Sequence, residues 1–437
     1  MRRMAACASL VLLLTGLAFW SNGCGTGLSG NRVEITMFDW DNIELNRLNK
    51  EIIASFERTH PHIRVRFISG DARKRLAMIA ADMAPDIVPL EIEELSFYIS
   101  RNLLAPLDDF IATDADFRLA DYFQNMAAMC RYGGKLYGLP ETFSPVVLYY
   151  NKDLFDEAKV PYPDENWGWE EFLAAAKRLT RDREGRGRID QYGFVTSWWR
   201  NRWPMYVWQN GGEVFNANYD RCLMDQPEAI EGIRFYNDLA AAHHVAPGWG
   251  AELEGVGGQG GSQWFVAGRI AMTAETRYIQ TTFQRITDFR WDVAPLPKGK
   301  RRATTFVGGV AGISARTKYP REAWEFLKFR TGEGGSTVLM RGGRGLSGYR
   351  PAAERAVVHP GQPPEHDGVF IEAVDDCHPP PFATEHMRTF DHAQEELNLL
   401  AQGYRTADEA CHNFARLFNE HFEKLRGEQR NSGEQRR

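Results

Sequence analysis

GGKLYGLPETFSPVVLYYNKDL, residues 133–154, decides how the rest of the chain is read. Gly133 and Gly134 supply a turn, and residues 135–139 alternate polar and apolar as a strand does. Pro140 fixes its own backbone and removes an amide donor. The run VVLYY, 146–150, is β-branched and aromatic, long enough for a buried strand and too short for a helix. Between these runs lies ETFS, 141–144, too polar for a core and too short to link independent domains. The pattern predicts one strand entering, a hinge that faces a cleft, and a second strand leaving.

Upstream, residues 32–38 alternate as a strand ending in Asp39-Trp40-Asp41-Asn42. Residues 44–58 put Leu45, Leu48, Ile52 and Phe56 on one helical face, and His60-Pro61 stops them. A strand at 63–68, a helix at about 72–83 and a buried strand at 86–90 follow. This β-α-β-α-β order predicts a parallel sheet with right-handed crossovers. Ligands of such sheets lie beyond the carboxyl ends of the strands, which marks 39–42 and 90–94 as cleft loops. Downstream, the reading gives a helix at 169–181, a strand at 270–274 and a helix at 323–330. A Gly-rich third crossing falls at 342–348, followed by a Pro-rich loop at 360–364. Helices at 388–400 and 406–426 come last, and a charged tail from 428 is expected to fray. At 437 residues the chain exceeds what one hydrophobic core usually serves, so two domains are expected.

The pattern G-K-x-Y-G-L-P followed by Y-Y-N-K-D-L-F resembles the family 1 extracellular solute-binding proteins of bacterial ABC importers, the sugar- and maltodextrin-binding group. Further strings stand in the same order: APDIV at 84–88, NLLAPLD at 102–108, WGWEEF at 167–172, FVAGRIAM at 265–272, VAPLP at 293–297, FVGG at 306–309 and AWEFLKF at 323–329. Their collinearity covers nearly the whole chain beyond its first residues. The resemblance implies an α/β, two-lobed periplasmic binding protein fold of type II, each lobe a mainly parallel sheet flanked by helices. The N-terminal lobe is expected at 33–142 plus 308–345, and the C-terminal lobe at 143–307 plus 346–427. Hinge crossings are expected at 140–145 and 305–310, with Gly308-Gly309 there to permit backbone angles other residues avoid. The resemblance further implies a monomer that hands its solute to membrane permease subunits, and it implies no cofactor. It places aromatic ligand contacts at Tyr278 and near Phe390.

The N-terminus has the form of an export signal: Arg2-Arg3, then an apolar stretch at 10–20, then small residues over the rest of 1–23. Gly23-Cys24 matches a lipoprotein cleavage site, with Cys24 acylated and 24–32 a linker to the membrane. Ser21 stands where such signals favour Leu, so an ordinary cleaved export signal is the alternative. Net charge is −6, and about −8 once Arg2 and Arg3 are removed, which argues against nucleic acid as partner. Cys130, Cys222, Cys377 and Cys411 match no zinc spacing. An exported chain permits disulfides among them, and buried free thiols are the competing reading.

Trp is abundant, 12 residues, and SWWRNRWPMYVWQNGG at 197–212 holds four of them, Trp198, Trp199, Trp203 and Trp208. An indole face stacks on a pyranose ring while Arg200, Arg202 and Asn201 reach hydroxyls. The competing reading is a helix core, since Trp199, Trp203 and Tyr206 recur at helical spacing. DREGRGRID at 182–190 has partial calcium-loop spacing, yet Arg186 stands at the fifth position and Gly193 at the twelfth, so a solvated turn is expected and no metal site. GVGGQGG at 255–261 lacks the Lys-Ser/Thr of a phosphate loop and reads as a flexible lead-in to a helix.

The expected mechanism is hinge closure, each lobe giving half the site. Trp40, Asp41, Asn42, Glu91 and Glu93 are expected from the first lobe, with Glu141 and Ser144 at the cleft floor and Gly309 at the return crossing. Trp198, Trp199, Arg200, Trp203, Thr276, Arg277, Tyr278 and Phe390 are expected from the second. An exported glycoside hydrolase would share the Trp-rich, acidic composition, but no barrel-like β-α repetition is visible. G-x-S-x-G and H-E-x-x-H do not occur, so no catalytic residue is expected. A related fold binding a polyamine or a glycerol phosphate, with Arg200 or Arg277 reading an anion, is the other alternative.

Overall fold

In the computed structural model, residues 32–249, 260–343, 345–358, 361–381 and 386–434 are described. The export signal, Cys24 and most of the 255–261 loop lie outside them. Three strands open the described chain, β1 (Val33–Trp40), β2 (Ile63–Gly70) and β3 (Ile87–Glu91). β1 pairs parallel with β2 from Val33↔Ile63 to Trp40↔Gly70, and parallel with β3 at Met37↔Ile87. The helix Ile43–Thr59 between β1 and β2 starts where the Asn42 side chain accepts from the Leu45 amide over 3.0 Å. It buries Leu45, Leu48, Ile52 and Phe56 against the sheet, the stripe its spacing predicts.

A two-stranded hairpin, β4 (Arg131–Tyr132) and β5 (Lys135–Leu136), turns on Gly133 and Gly134, both at positive φ. Beyond it the two strands expected in the opening stretch are one, β6 (Leu139–Asn151), unbroken over 13 residues. β7 (Met272–Thr276), β8 (Trp291–Ala294), β9 (Thr304–Ile313), β10 (Leu346–Ser347) and β11 (Cys377–His378) complete the strands. Among the described residues the large sheet runs β10-β6-β9-β3-β1-β2, with β7 and β8 also on β6 and β11 on β9.

β6 and β9 give the molecule its form. They run antiparallel from Leu139↔Ala311 to Pro145↔Phe306, with a register irregularity between Pro140 and Phe143. That irregularity absorbs Pro140, which has no amide to give to the ladder. Past the shared stretch they diverge, β9 pairing β3 at Ile87↔Ile313 and β6 pairing β7 and β8. The link 141–144 is therefore sheet and not loop: β9 pairs Phe143 and Ser144, while β10 and Gly348 meet Thr142 and Glu141, so its polarity does not expel it from the interior. Gly308 and Gly309 are there for a different reason than expected. Neither has positive φ. A Cβ on Gly308 would stand 2.5 Å from that of Phe143, and one on Gly309 would stand 2.8 Å from the Leu90 carbonyl oxygen, so close strand packing selects glycine.

Among the described residues, three apolar clusters form. One joins β1–β3 to the helix Pro320–Thr331, with Phe56, Trp324 and Phe326 in it. A second joins the start of β7 to the helices Trp169–Leu179, Pro204–Gln209, Pro227–Ala241, Met387–Ala401 and Ala407–Glu434. The third, around Phe143, Tyr149, Phe283, Trp291 and Phe370, lies along β6 and β8. The last helix runs to Glu434, well past the position where a frayed tail was expected to begin. Cys130, Cys222, Cys377 and Cys411 are buried free thiols. In the turn 182–190, Asp182 accepts from the Arg186 and Gly187 amides and Asp190 from those of Arg183 and Glu184.

Candidate ligand-binding site

A cavity of about 930 Å³ opens in the second half of the molecule, between the helices Pro227–Ala241 and Met387–Ala401, with the end of β7 and the loop 194–200 around it. Its size is that of a small-molecule site. A smaller hollow of about 470 Å³ at Arg405, Asp408 and His412 is a surface dent holding no predicted residue.

The loop is pinned from below. The Tyr236 hydroxyl accepts from the Ser197 amide and donates to the Ser197 carbonyl over 2.8 Å. This seats Trp198 edge-on against Tyr236, ring centroids 5.1 Å apart, while Trp199 stays 55% exposed at the rim. Both indoles line the cavity, as do Arg200, Thr276 and Phe390. The predicted helix over 199–206 is short: helical structure begins at Pro204, and Trp203 is its N-cap.

Trp203 does not reach the cavity. It is fully buried, stacked on Phe390 and edge-on to Phe414, and its indole N–H donates to Gln394 Oε1 over 2.8 Å. It is a core ring that holds two cavity-lining residues, Phe390 and Gln394, in place. Arg277 is likewise internal. Its guanidinium grips Asp367 at 2.7 Å and donates to the carbonyls of Gly345 and Ala356. An arginine so saturated and buried is not available to read an anion. Its amide donates to the Ser144 hydroxyl, which is fully buried. Tyr278 turns toward Thr142 and Gly345 and is not on the cavity wall.

Glu141 pairs with Arg330, whose guanidinium also donates to Asp39 Oδ2 at 2.8 Å and Asn49 Oδ1 at 2.7 Å. This buried network ties β1, β6 and two helices together at the crossing, so Glu141 is a structural acid. Gly309 faces Glu91 across the β3–β9 ladder.

In the first half, Trp40 lies over the buried Arg75 guanidinium, 5.0 Å from its ring centroid. Arg75 is held by Glu94, the Pro89 carbonyl and Tyr98. Asp41 accepts from Asn46 at the surface, and Asn42 is spent as a helix cap. Glu91 ends β3 and Glu93 follows in a short 3-10 turn, Ile92–Glu94. Desolvation, reinforced by the carboxylates of Glu93, Glu94 and Asp39, pushes the Glu91 carboxyl up to about 8. Desolvation also raises Glu93, and the Arg200 charge from the opposite half draws it back.

Sequence reasoning offered Arg202 as a hydroxyl contact but did not single out Trp249, 45% exposed at the rim, nor Glu275 and Ser262, which complete a polar wall with Arg202. Glu275 was read as loop beyond a strand, whereas it lies within β7, whose alternation carries it to the wall. Trp249 follows Pro247-Gly248 in the loop beyond the helix Pro227–Ala241, and no local pattern signals it.

Residues 43–336 match the profile of the bacterial extracellular solute-binding protein family. An ABC substrate-binding protein of Listeria monocytogenes, solved in complex with cycloalternan, superimposes with a TM-score of 0.76 at 26% identity, over 89% of this chain and 98% of that one. An uncharacterized lipoprotein in the oleD 5′ region of Streptomyces antibioticus is 28% identical over 64% of this chain and 62% of its own length, so the match spans less than two thirds of it. An arabinooligosaccharide-binding protein of Halalkalibacterium halodurans is 28% identical over 39% of this chain and 36% of that protein.

Proposed function

The chain belongs to the bacterial extracellular solute-binding proteins, and from that premise we propose that it captures a sugar or oligosaccharide for an ABC importer by closing two lobes upon it. The observation that carries this reading is the cavity wall itself, Trp198, Trp199 and Trp249 beside Arg202, Glu275 and Ser262. Apolar ring faces next to hydrogen-bonding groups suit a pyranose, which has both kinds of surface. The neighbours named for cycloalternan and arabinooligosaccharide support the same class. The lobes are taken as 33–142 plus 308–345 and 143–307 plus 346–427, swinging about the crossing strands. Glu91, Glu93, Trp40 and Asp41 belong to the lobe that closes over the cavity.

The solute leaves chemically unchanged, released to permease subunits, and no cofactor takes part. The chain is exported, its first 23 residues are removed, and Cys24 carries the lipid that keeps it at the membrane. Cys24→Ser shifts the protein from the membrane fraction to the soluble one if this is so, and an unchanged distribution rules the anchor out. The sugar reading is tested by thermal denaturation against a panel of di- and trisaccharides. A sugar held at about a hundred times its Kd stabilises the fold by about 2.7 kcal/mol. No shift with any sugar, alongside a shift with a polyamine or a phosphate ester, overturns the substrate class.

A further inference from the structure

We infer that the Arg202–Glu275 ion pair is the specificity-determining element of this cavity, offering a donor and an acceptor side by side to two neighbouring hydroxyls of one uncharged sugar ring. The inference rests on the carbohydrate reading above and concerns what within the cleft does the selecting. Arg202 Nη2 donates to Glu275 Oε2 over 2.7 Å, and the two side chains are 9% and 18% exposed on the cavity wall. Ser262 Oγ donates to the other carboxylate oxygen over 2.9 Å, and Arg202 Nη1 donates to Asn201 Oδ1 over 3.1 Å. The pair is thus held from both ends and cannot swing to suit an arbitrary guest.

The hydrogen-bond count shows what is left over. A carboxylate has about four lone-pair sites and a guanidinium five N–H donors. Among the described residues, Glu275 accepts two bonds and Arg202 donates two. Buried polar groups normally use their bonding capacity, and a buried ion pair does little for stability because desolvation offsets its attraction. A pair kept in a cavity wall with capacity to spare is suited to an occupant.

Its charges choose the occupant. Arg202 and Glu275 neutralise each other, and Arg200 and Asp391 add one charge of each sign to the rest of the wall, so a phosphate meets no net positive charge there and a polyamine no net negative one. A hydroxyl both donates and accepts. Two vicinal hydroxyls can satisfy guanidinium and carboxylate together while the ring face rests on the exposed Trp199 indole. Arg277, the other arginine near β7, is already saturated by Asp367 and two carbonyls.

The test is isothermal titration of the full-length protein with maltotriose, arabinotriose and galactotriose, then with monodeoxy analogues of the tightest binder. Wild type, Glu275→Gln and Ser262→Ala are compared, with melting temperatures recorded for each. One deoxy position is expected to weaken wild-type binding about 100-fold or more. Glu275→Gln is expected to weaken the parent sugar by a similar factor and to bind parent and deoxy analogue alike. Ser262→Ala, which releases one side of the carboxylate, is expected to narrow the ratio part-way at an unchanged melting temperature. Glucose 6-phosphate and spermidine are expected not to bind. Equal parent-to-deoxy ratios across wild type and both variants overturn the inference while sugar capture stands. Absence of binding by wild type to every sugar overturns both. If Glu275→Gln fails to fold, the Ser262→Ala ratio decides.

Discussion

The carboxyl of Glu91 ends β3 among three other acids, and the structure holds it protonated well above the ordinary carboxylate range, to about 8. The folded state therefore binds a proton more tightly than the unfolded chain does. Between the ordinary carboxylate range and pH 8 the native state carries that extra proton, so stability falls as pH rises through this window and levels off above it. Glu91→Gln, uncharged at every pH, is expected to flatten this slope and to stabilise the protein at pH 8.5 by on the order of 1–3 kcal/mol. Urea denaturation of both proteins at pH 5, 7 and 8.5 measures it, and parallel slopes would show that burial does not perturb this acid. The two tryptophans read alike in sequence part company at the same scale. Trp199→Ala, at the cavity rim and largely exposed, is expected to cost about 2–4 kcal/mol of sugar binding with little change in stability. Trp203→Ala, in the core, is expected to cost about 3–5 kcal/mol of stability. Calorimetric titration and thermal melts on the same samples separate the two effects.

At the scale of elements, the crossing pair β6 and β9 concentrates the structure's demands. Adding a Cβ at Gly308 forces it against Phe143 and the Thr142 carbonyl, where neither neighbour is the free end of a flexible side chain. Gly308→Ala is expected to destabilise by about 1–3 kcal/mol, measured as a lower urea midpoint at constant slope. β6 is also clamped to β1 by Arg330, which joins Glu141 on β6 to Asp39 on β1 and Asn49 on the first helix. Arg330→Met strands two buried acids and is expected to cost about 3–5 kcal/mol, far more than loss of any exposed pair such as Arg47–Glu44. A small effect there would mean that water reaches Asp39 and Glu141.

For the whole molecule, the prediction is mechanical. Glu93 follows β3 in the first half, and Arg200 and the cavity lie in the second. On the proposed mechanism solute is expected to dock on the second lobe first and the first lobe then to close, a population shift set by the difference in affinity between open and closed forms. X-ray scattering on the protein with and without saturating sugar is expected to give a smaller radius of gyration when bound. Arg200→Gln is expected to leave stability nearly unchanged and to raise the sugar dissociation rate. Identical dimensions in both states would remove hinge closure from the account.

The sequence by itself determined the architecture. Collinear strings, the β-α-β-α-β order and the stripe Leu45, Leu48, Ile52 and Phe56 are local or nearly so, and the fold class and the position of the crossing strands follow from them. What only the tertiary structure decided is which polar and aromatic groups face solvent-filled space. Glu141, Ser144, Arg277 and Trp203 carry the residue types of a sugar site, yet each meets a partner far away in sequence: Arg330, the Arg277 amide, Asp367 and Gln394. Glu275, Arg202 and Ser262 come from separate segments and meet only across the cavity wall. Chain periodicity fixes which face of an element turns inward. Whether an inward polar group is met by protein or by ligand depends on contacts between distant segments, and no local pattern encodes those.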